Sequence, residues 1–142
     1  MSSRLAHTVE QLHEWLAPCD ALPLECDGLT RVTSGLFTRD GIAHTVMVGR
    51  LATPHGVIAH HWWIDLDDDL AGLRVDFRAR MWLGAAADVP HGVFVADAVD
   101  ADYQGEAISL PFNPTICTIL AGEVFAHRPR FQSARVSNLR PA

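Results

Sequence analysis

No run of about 18 apolar residues occurs in the chain, so a membrane-crossing helix is not expected. The first residues, Met1-Ser2-Ser3-Arg4-Leu5-Ala6-His7, lack the apolar core of a secretory signal peptide. Basic residues are outnumbered, 11 Lys and Arg against 17 Asp and Glu, and the net charge of -6 argues against nucleic acid or an anionic membrane as a partner. Cysteine is scarce and irregularly spaced: Cys19, Cys26 and Cys117 are odd in number and include no CxxC. They make neither a disulfide framework nor a zinc knuckle, and they fit a reducing cytoplasm. Internal repeats are missing, as are HxH and HExxH spacings. A metal site would have to draw on His55, His60, His61 and His91 with Asp65 or Asp76, a donor set that suits zinc. Adjacent histidines on a strand point to opposite faces, so His60 and His61 do not easily share an ion. No metal and no cofactor is expected.

What is present is an ordinary globular composition, 49% hydrophobic and 20% charged over 142 residues, enough for one core and too little for two. Residues 5 to 17 place Leu5, Val9, Leu12, Trp15 and Leu16 on one helical stripe, which Pro18 should end. A connector from Cys19 to Glu25 is expected to run over the surface. A second helix is expected from Cys26 to Arg39, with Leu29, Val32, Leu36 and Phe37 buried and Asp40-Gly41 as its stop. Strands follow at about 42–53, 57–66 and 73–78, then a short one at 93–96, with the charge run Asp67-Asp68-Asp69 read as a solvated loop. Asn113-Pro114 has the pattern of an N-cap with proline at the first helical position, opening a short helix that stops at Gly122. Helices ahead of strands joined by tight turns predict an α+β domain, N-terminal helices packed on a small antiparallel sheet. The domain should span 1–127, with 128–142 a weakly ordered tail.

The hairpin of the second and third strands holds the chemistry. An even loop between them puts Val57, Ala59, His61, Trp63 and Asp65 on one face with Arg74, Asp76 and Arg78. The opposite face then holds Ile58, His60, Trp62, Ile64 and Leu66 with Leu73, Val75 and Phe77, an apolar set that reads as core. His61 and Asp76 thereby share the more polar face. A thiol attacks as thiolate, a state favoured by a helix N-terminus and by a neighbouring imidazolium. Cys26 would have the first from its own helix and the second from His61, while Asp76 would fix the imidazole tautomer. Trp63 and Arg78, on the same face, are expected to contact substrate.

The run His61-Trp62-Trp63-Ile64-Asp65 resembles the His-x-Trp-x-(Glu/Asp) strand of the transglutaminase-like and papain-like cysteine hydrolases. In that superfamily a helix-leading cysteine precedes the sheet, as Cys26 does, and an aspartate about one strand after the histidine completes the triad, as Asp76 would. The likeness covers roughly residues 24 to 80. The stretch from Val75 to Gly84 is also similar to small bacterial and phage-type proteins. The resemblance implies a papain-like or transglutaminase-like core and the cleavage or exchange of amide, isopeptide or thioester bonds through an acyl-thioenzyme. The partner would then be a peptide-like or acyl substrate.

Plainer roles stand beside these. Cys26 could be a small buried residue near a helix start, His61 a satisfied histidine on a sheet, and Asp76 the ion-pair partner of Arg74 or Arg78. The chain would then be an inactive binding or adaptor module of the same fold. Its protein partner would be met through Trp63, Met81, Trp82 and Phe94.

Overall fold

The computed structural model describes residues 3–131. The first apolar stripe becomes the inner side of α1 (Ser3–Asp20), where Leu12, Leu16 and Cys19 are buried. Pro18 does not end this helix, contrary to expectation. It lies in the last turn, and the carbonyls around it find other donors: Cys19 O accepts from Leu22 N–H (3.1 Å) and Asp20 O from Arg78 Nη2 (3.0 Å). The connector therefore begins after Asp20, and Cys19 belongs to the core. The second helix, α2 (Cys26–Asp40), buries Leu29, Val32, Leu36 and Phe37 as its spacing predicts. It stops at Gly41, whose φ of 73° is the left-handed conformation that glycine adopts without a Cβ penalty.

Next come β1 (His44–Thr53), β2 (Gly56–Leu66) and β3 (Leu73–Asp76), then α3 (Ala79–Leu83), β4 (Gly92–Val95), β5 (Asp102–Ile108), α4 (Pro114–Ala121) and α5 (Glu123–Ala126). Asn113 caps α4 by accepting the Ile116 N–H at 3.1 Å, as its pattern predicts. The strands form one antiparallel sheet in the order β4-β3-β2-β1-β5, so the chain is α+β with its helices packed on that sheet. Val46, Ile64, Leu66, Leu73, Val75 and Val93 meet α1 and α2 in the main core. Among the described residues no helix is long and apolar enough to cross a membrane.

Two features depart from the expected hairpin. The first is β5, whose sequence Asp102-Tyr103-Gln104-Gly105-Glu106-Ala107-Ile108 has too little apolar alternation to announce a strand. It pairs with β1, where Gly49 faces Gly105; a Cβ on Gly49 would collide with the Gln104 backbone oxygen. The second is a bulge. Gly49 pairs with His61 and Leu51 with Ile58, so Ala59 and His60 of β2 face the single residue Arg50. An extra residue reverses the facing of everything before it. Ile58 accordingly leaves the helix side and packs with Leu51, Ala79 and Val89 on the other side of the sheet. His60, expected in the core, is exposed.

The last described residues, 128–131, are tied to the first two helices. Trp15 Nε1 donates to Pro129 O (3.0 Å), Arg39 Nη1 to Arg128 O (2.9 Å), and the Phe131 ring packs 5.3 Å from that of Trp15. The remainder of the expected tail, 132–142, lies outside the described residues.

Candidate active site

Asp76 ends β3, and its carboxylate is held from four sides. Oδ1 accepts the backbone N–H groups of Arg78 (2.9 Å) and Ala79 (3.1 Å), closing the turn into α3. Oδ2 accepts from His61 Nε2 and from the Tyr103 hydroxyl, each at 2.7 Å. The register behind the first of these is the even one: Ile64 pairs with Val75 and Asp65 with Arg74, which puts His61 and Asp76 on one face. A carboxylate only accepts, so the proton of a neutral His61 sits on Nε2.

His61 is 0% exposed, and its Nδ1 is a buried polar atom without a regular hydrogen bond. The side chain that acts on the ring besides Asp76 is Cys26. With Nε2 occupied by Asp76, Nδ1 is the ring nitrogen left for the thiol. Burial alone would lower the His61 pKa, but the Asp76 and Cys26 side chains outweigh it, and the imidazole is raised to about 9. A buried orphan nitrogen beside a half-buried thiol is the type of unpaired group that calls for a functional account.

Cys26 opens α2 after Glu25, an extended residue whose carbonyl accepts the Leu29 N–H at 2.9 Å. Its thiol lies at the boundary of two spaces. A cavity of about 10 Å³ beneath it is lined by Thr30, Thr33, Trp62, Asp76 and Arg78 among others. An open groove of about 590 Å³ passes over it, with Glu25, Asp27, Val57, Trp62 and Trp82 in its walls. The structure thus brings Cys26, His61 and Asp76 together.

The two expected substrate contacts are differently employed. Trp63 is buried, its ring 6.2 Å from His61 and edge-on to Tyr103 at 4.9 Å, so it backs the imidazole and does not line the groove. Trp62, the neighbour on the opposite face, lines it instead. Arg78 is 5% exposed, and each guanidinium N–H has an acceptor within the protein. Nε bonds Leu24 O (2.6 Å), Nη1 bonds Asp20 Oδ1 (2.6 Å) and Phe77 O (2.9 Å), and Nη2 bonds Asp20 O (3.0 Å) and Leu22 O (2.9 Å). Those five bonds use all five donors, so Arg78 holds the connector that leads into Cys26 and has none left for a ligand. Of the expected contact surface, Met81 and Trp82 are exposed, while Phe94 is half-buried 6.4 Å from the Tyr103 ring.

Tyr103, the chain's one tyrosine, is the residue that sequence reasoning missed. In a flat sheet β5 would lie about 14 Å from β3, three strand spacings of about 4.8 Å. Only a strongly curled sheet lets its hydroxyl meet Asp76. The Arg74 guanidinium lies 4.4 Å from the ring centroid and is itself paired with Asp65 at 2.7 Å, which pins the ring. Burial, then the Asp76 charge, pushes the phenol far up, so it stays protonated and donates. Its singularity in the composition was the available signal, but nothing local joined it to a strand.

Among the described residues no three His, Cys, Asp or Glu side chains converge as metal ligands. In comparisons with known proteins, the chain matches no family model, no curated protein and no solved structure.

Proposed function

We propose that the chain is a cysteine hydrolase or acyltransferase with a transglutaminase-like or papain-like core, acting on an amide, isopeptide or thioester bond. The observation that carries this reading is a fully buried imidazole with one nitrogen on a carboxylate and Cys26 acting on the ring. Cys26 is the nucleophile, His61 the base and then the acid, and Asp76 the orienting carboxylate.

In acylation the Cys26 thiolate attacks the carbonyl carbon, forming a C–S bond and placing negative charge on the carbonyl oxygen. The Cys26 backbone N–H, one of the amides that a helix start leaves unbonded, is a donor for that oxygen. The His61 imidazolium gives its Nδ1 proton to the leaving nitrogen or sulfur as that bond breaks. Deacylation reverses the roles: His61 takes a proton from water or an acceptor amine, which attacks the thioester and releases Cys26. Asp76 keeps the ring in one tautomer throughout. Its own four donors keep it from rotating.

The test is the rate of iodoacetamide alkylation against pH. Cys19 and Cys117 are buried, and burial raises both thiols, Cys19 to about 11, so label below pH 7 reports on Cys26. A rate well above that of a free thiol below pH 7, lost in Cys26→Ser and reduced in His61→Gln, supports the reading. Ordinary free-thiol behaviour sinks it.

A further inference from the structure

The groove over Cys26 has a chemical bias of its own. We propose that it takes a cationic, peptide-like acyl donor, whose positive group lies between Glu25 and Asp27 while an apolar part rests on Trp62, Trp82 and Val57. This deepens the preceding reading and rests on Cys26 being the attacking group.

Three observations support it. Glu25 and Asp27 stand on either side of Cys26 in the chain, both are exposed, and both line the groove. Neither enters an ion pair among the described residues, whereas Asp20, Asp40, Asp65, Asp76 and Asp88 all do. Among the described residues no arginine lines the groove, and besides Glu25, Asp27 and the thiol its one titratable side chain is His60. The nearby Arg78, in the cavity beneath, is fully engaged with the connector. The groove wall beside the thiol therefore carries two carboxylates that no arginine or lysine of its described lining offsets, which disfavours an anionic substrate and favours a cation.

The second part of the surface is apolar. Trp82 is 58% exposed and Val57 55%, and Trp62 continues that surface down to the thiol. Large exposed side chains next to a nucleophile and two carboxylates without an ion pair among the described residues, Asp27 accepting only the Gly28 N–H at 2.8 Å, offer a lysine- or arginine-bearing segment both its needs. Its methylenes and neighbouring residues cover indole, and its charge meets the carboxylates, with a cation–π contribution from Trp82.

Charged thiol reagents test this without a known substrate. Cys26 is treated at pH 6.5 and low ionic strength with methanethiosulfonates carrying a trimethylammonium, a sulfonate or no charge. In each case the thiolate attacks the sulfenyl sulfur, a mixed disulfide forms and methanesulfinate leaves. The cationic reagent should outpace the anionic one by at least about tenfold more than it does with a small free thiol. Glu25→Gln with Asp27→Asn should remove most of that excess, and Trp82→Ala part of it. Asp68→Asn with Asp69→Asn, at the far end of β2, makes the same change in net charge and should leave it. An excess that Glu25→Gln with Asp27→Asn lowers no more than Asp68→Asn with Asp69→Asn does would overturn the proposal. Absence of any excess would do the same. Iodoacetamide, which is neutral, judges the nucleophile separately: fast alkylation without charge preference removes the groove proposal and leaves the Cys26 reading in place.

Discussion

At the residue scale, Asp76 is the pivot, because one carboxylate joins the turn into α3, the imidazole and the β5 tyrosine. Asp76→Asn keeps the volume but offers an amide where His61 Nε2–H needs an acceptor, favouring the wrong tautomer. Cys26 alkylation below pH 7 should fall by at least about a hundredfold. Chemical denaturation should show a loss of about 3–5 kcal/mol, since one member of a buried charged pair is removed. Tyr103→Phe is milder. His61 still holds Oδ2, one neutral donor is lost, and the same two measurements should give about 1–2 kcal/mol and less than a tenfold change in rate. If Tyr103→Phe proved as damaging as Asp76→Asn, the hydroxyl would be part of the reaction and not only a support. Cys26, His61 and Asp76 were legible in sequence because they lie on strongly patterned segments. Tyr103 was not, since its role depends on a strand three places away in the sheet.

At the element scale, two joints hold the site. The first is Arg78, which ties Asp20 at the end of α1, and Leu22 and Leu24 of the α1–α2 connector, to the end of β3. Arg78→Lys keeps the charge but cannot reach three carbonyls in a planar fork. It should cost about 2–4 kcal/mol in urea unfolding and slow Cys26 alkylation, because the start of α2 loses its tether. Unchanged alkylation would show that α2 is seated by its own packing. The second joint is the glycine pair between β1 and β5. Gly49→Ala puts a methyl group into the Gln104 backbone, should cost about 2 kcal/mol or more, and should raise hydrogen exchange along β5. Helices α1 and α2 and the β1–β3 meander were readable from period and turn chemistry. The bulge at Ala59–His60 was not, because local sequence does not reveal a two-against-one pairing. It moved Ile58 from its expected place.

At the scale of the whole molecule, the buried pair links stability to pH. His61 has its ordinary value near 6.5 when unfolded and about 9 when folded. Between those values the native state holds a proton that the unfolded chain has released, so stability falls as pH rises. The contribution is fully present below about 6.5 and lost as pH climbs through about 9. Urea midpoints measured from pH 6 to 10 should decline across that window, and His61→Gln should flatten the decline. A wild-type curve that stayed flat between about pH 6.5 and 9 would mean that the imidazole is held neutral by its burial.

The sequence by itself determined the α+β class, the two amphipathic helices, the hairpin and the even register that sets His61 beside Asp76. Each follows from periodicity or parity within about 20 residues, where side-chain direction is dictated by the local backbone. Only the tertiary structure decided that β5 exists and that the sheet curls until Tyr103 reaches Asp76. It likewise decided that Arg78 is spent on the connector, and that Trp62 lines the groove while Trp63 backs the imidazole. Those outcomes depend on which distant segments pack together, and burial on the two faces of a curved sheet is settled by that packing and not by the order of residues along the strand.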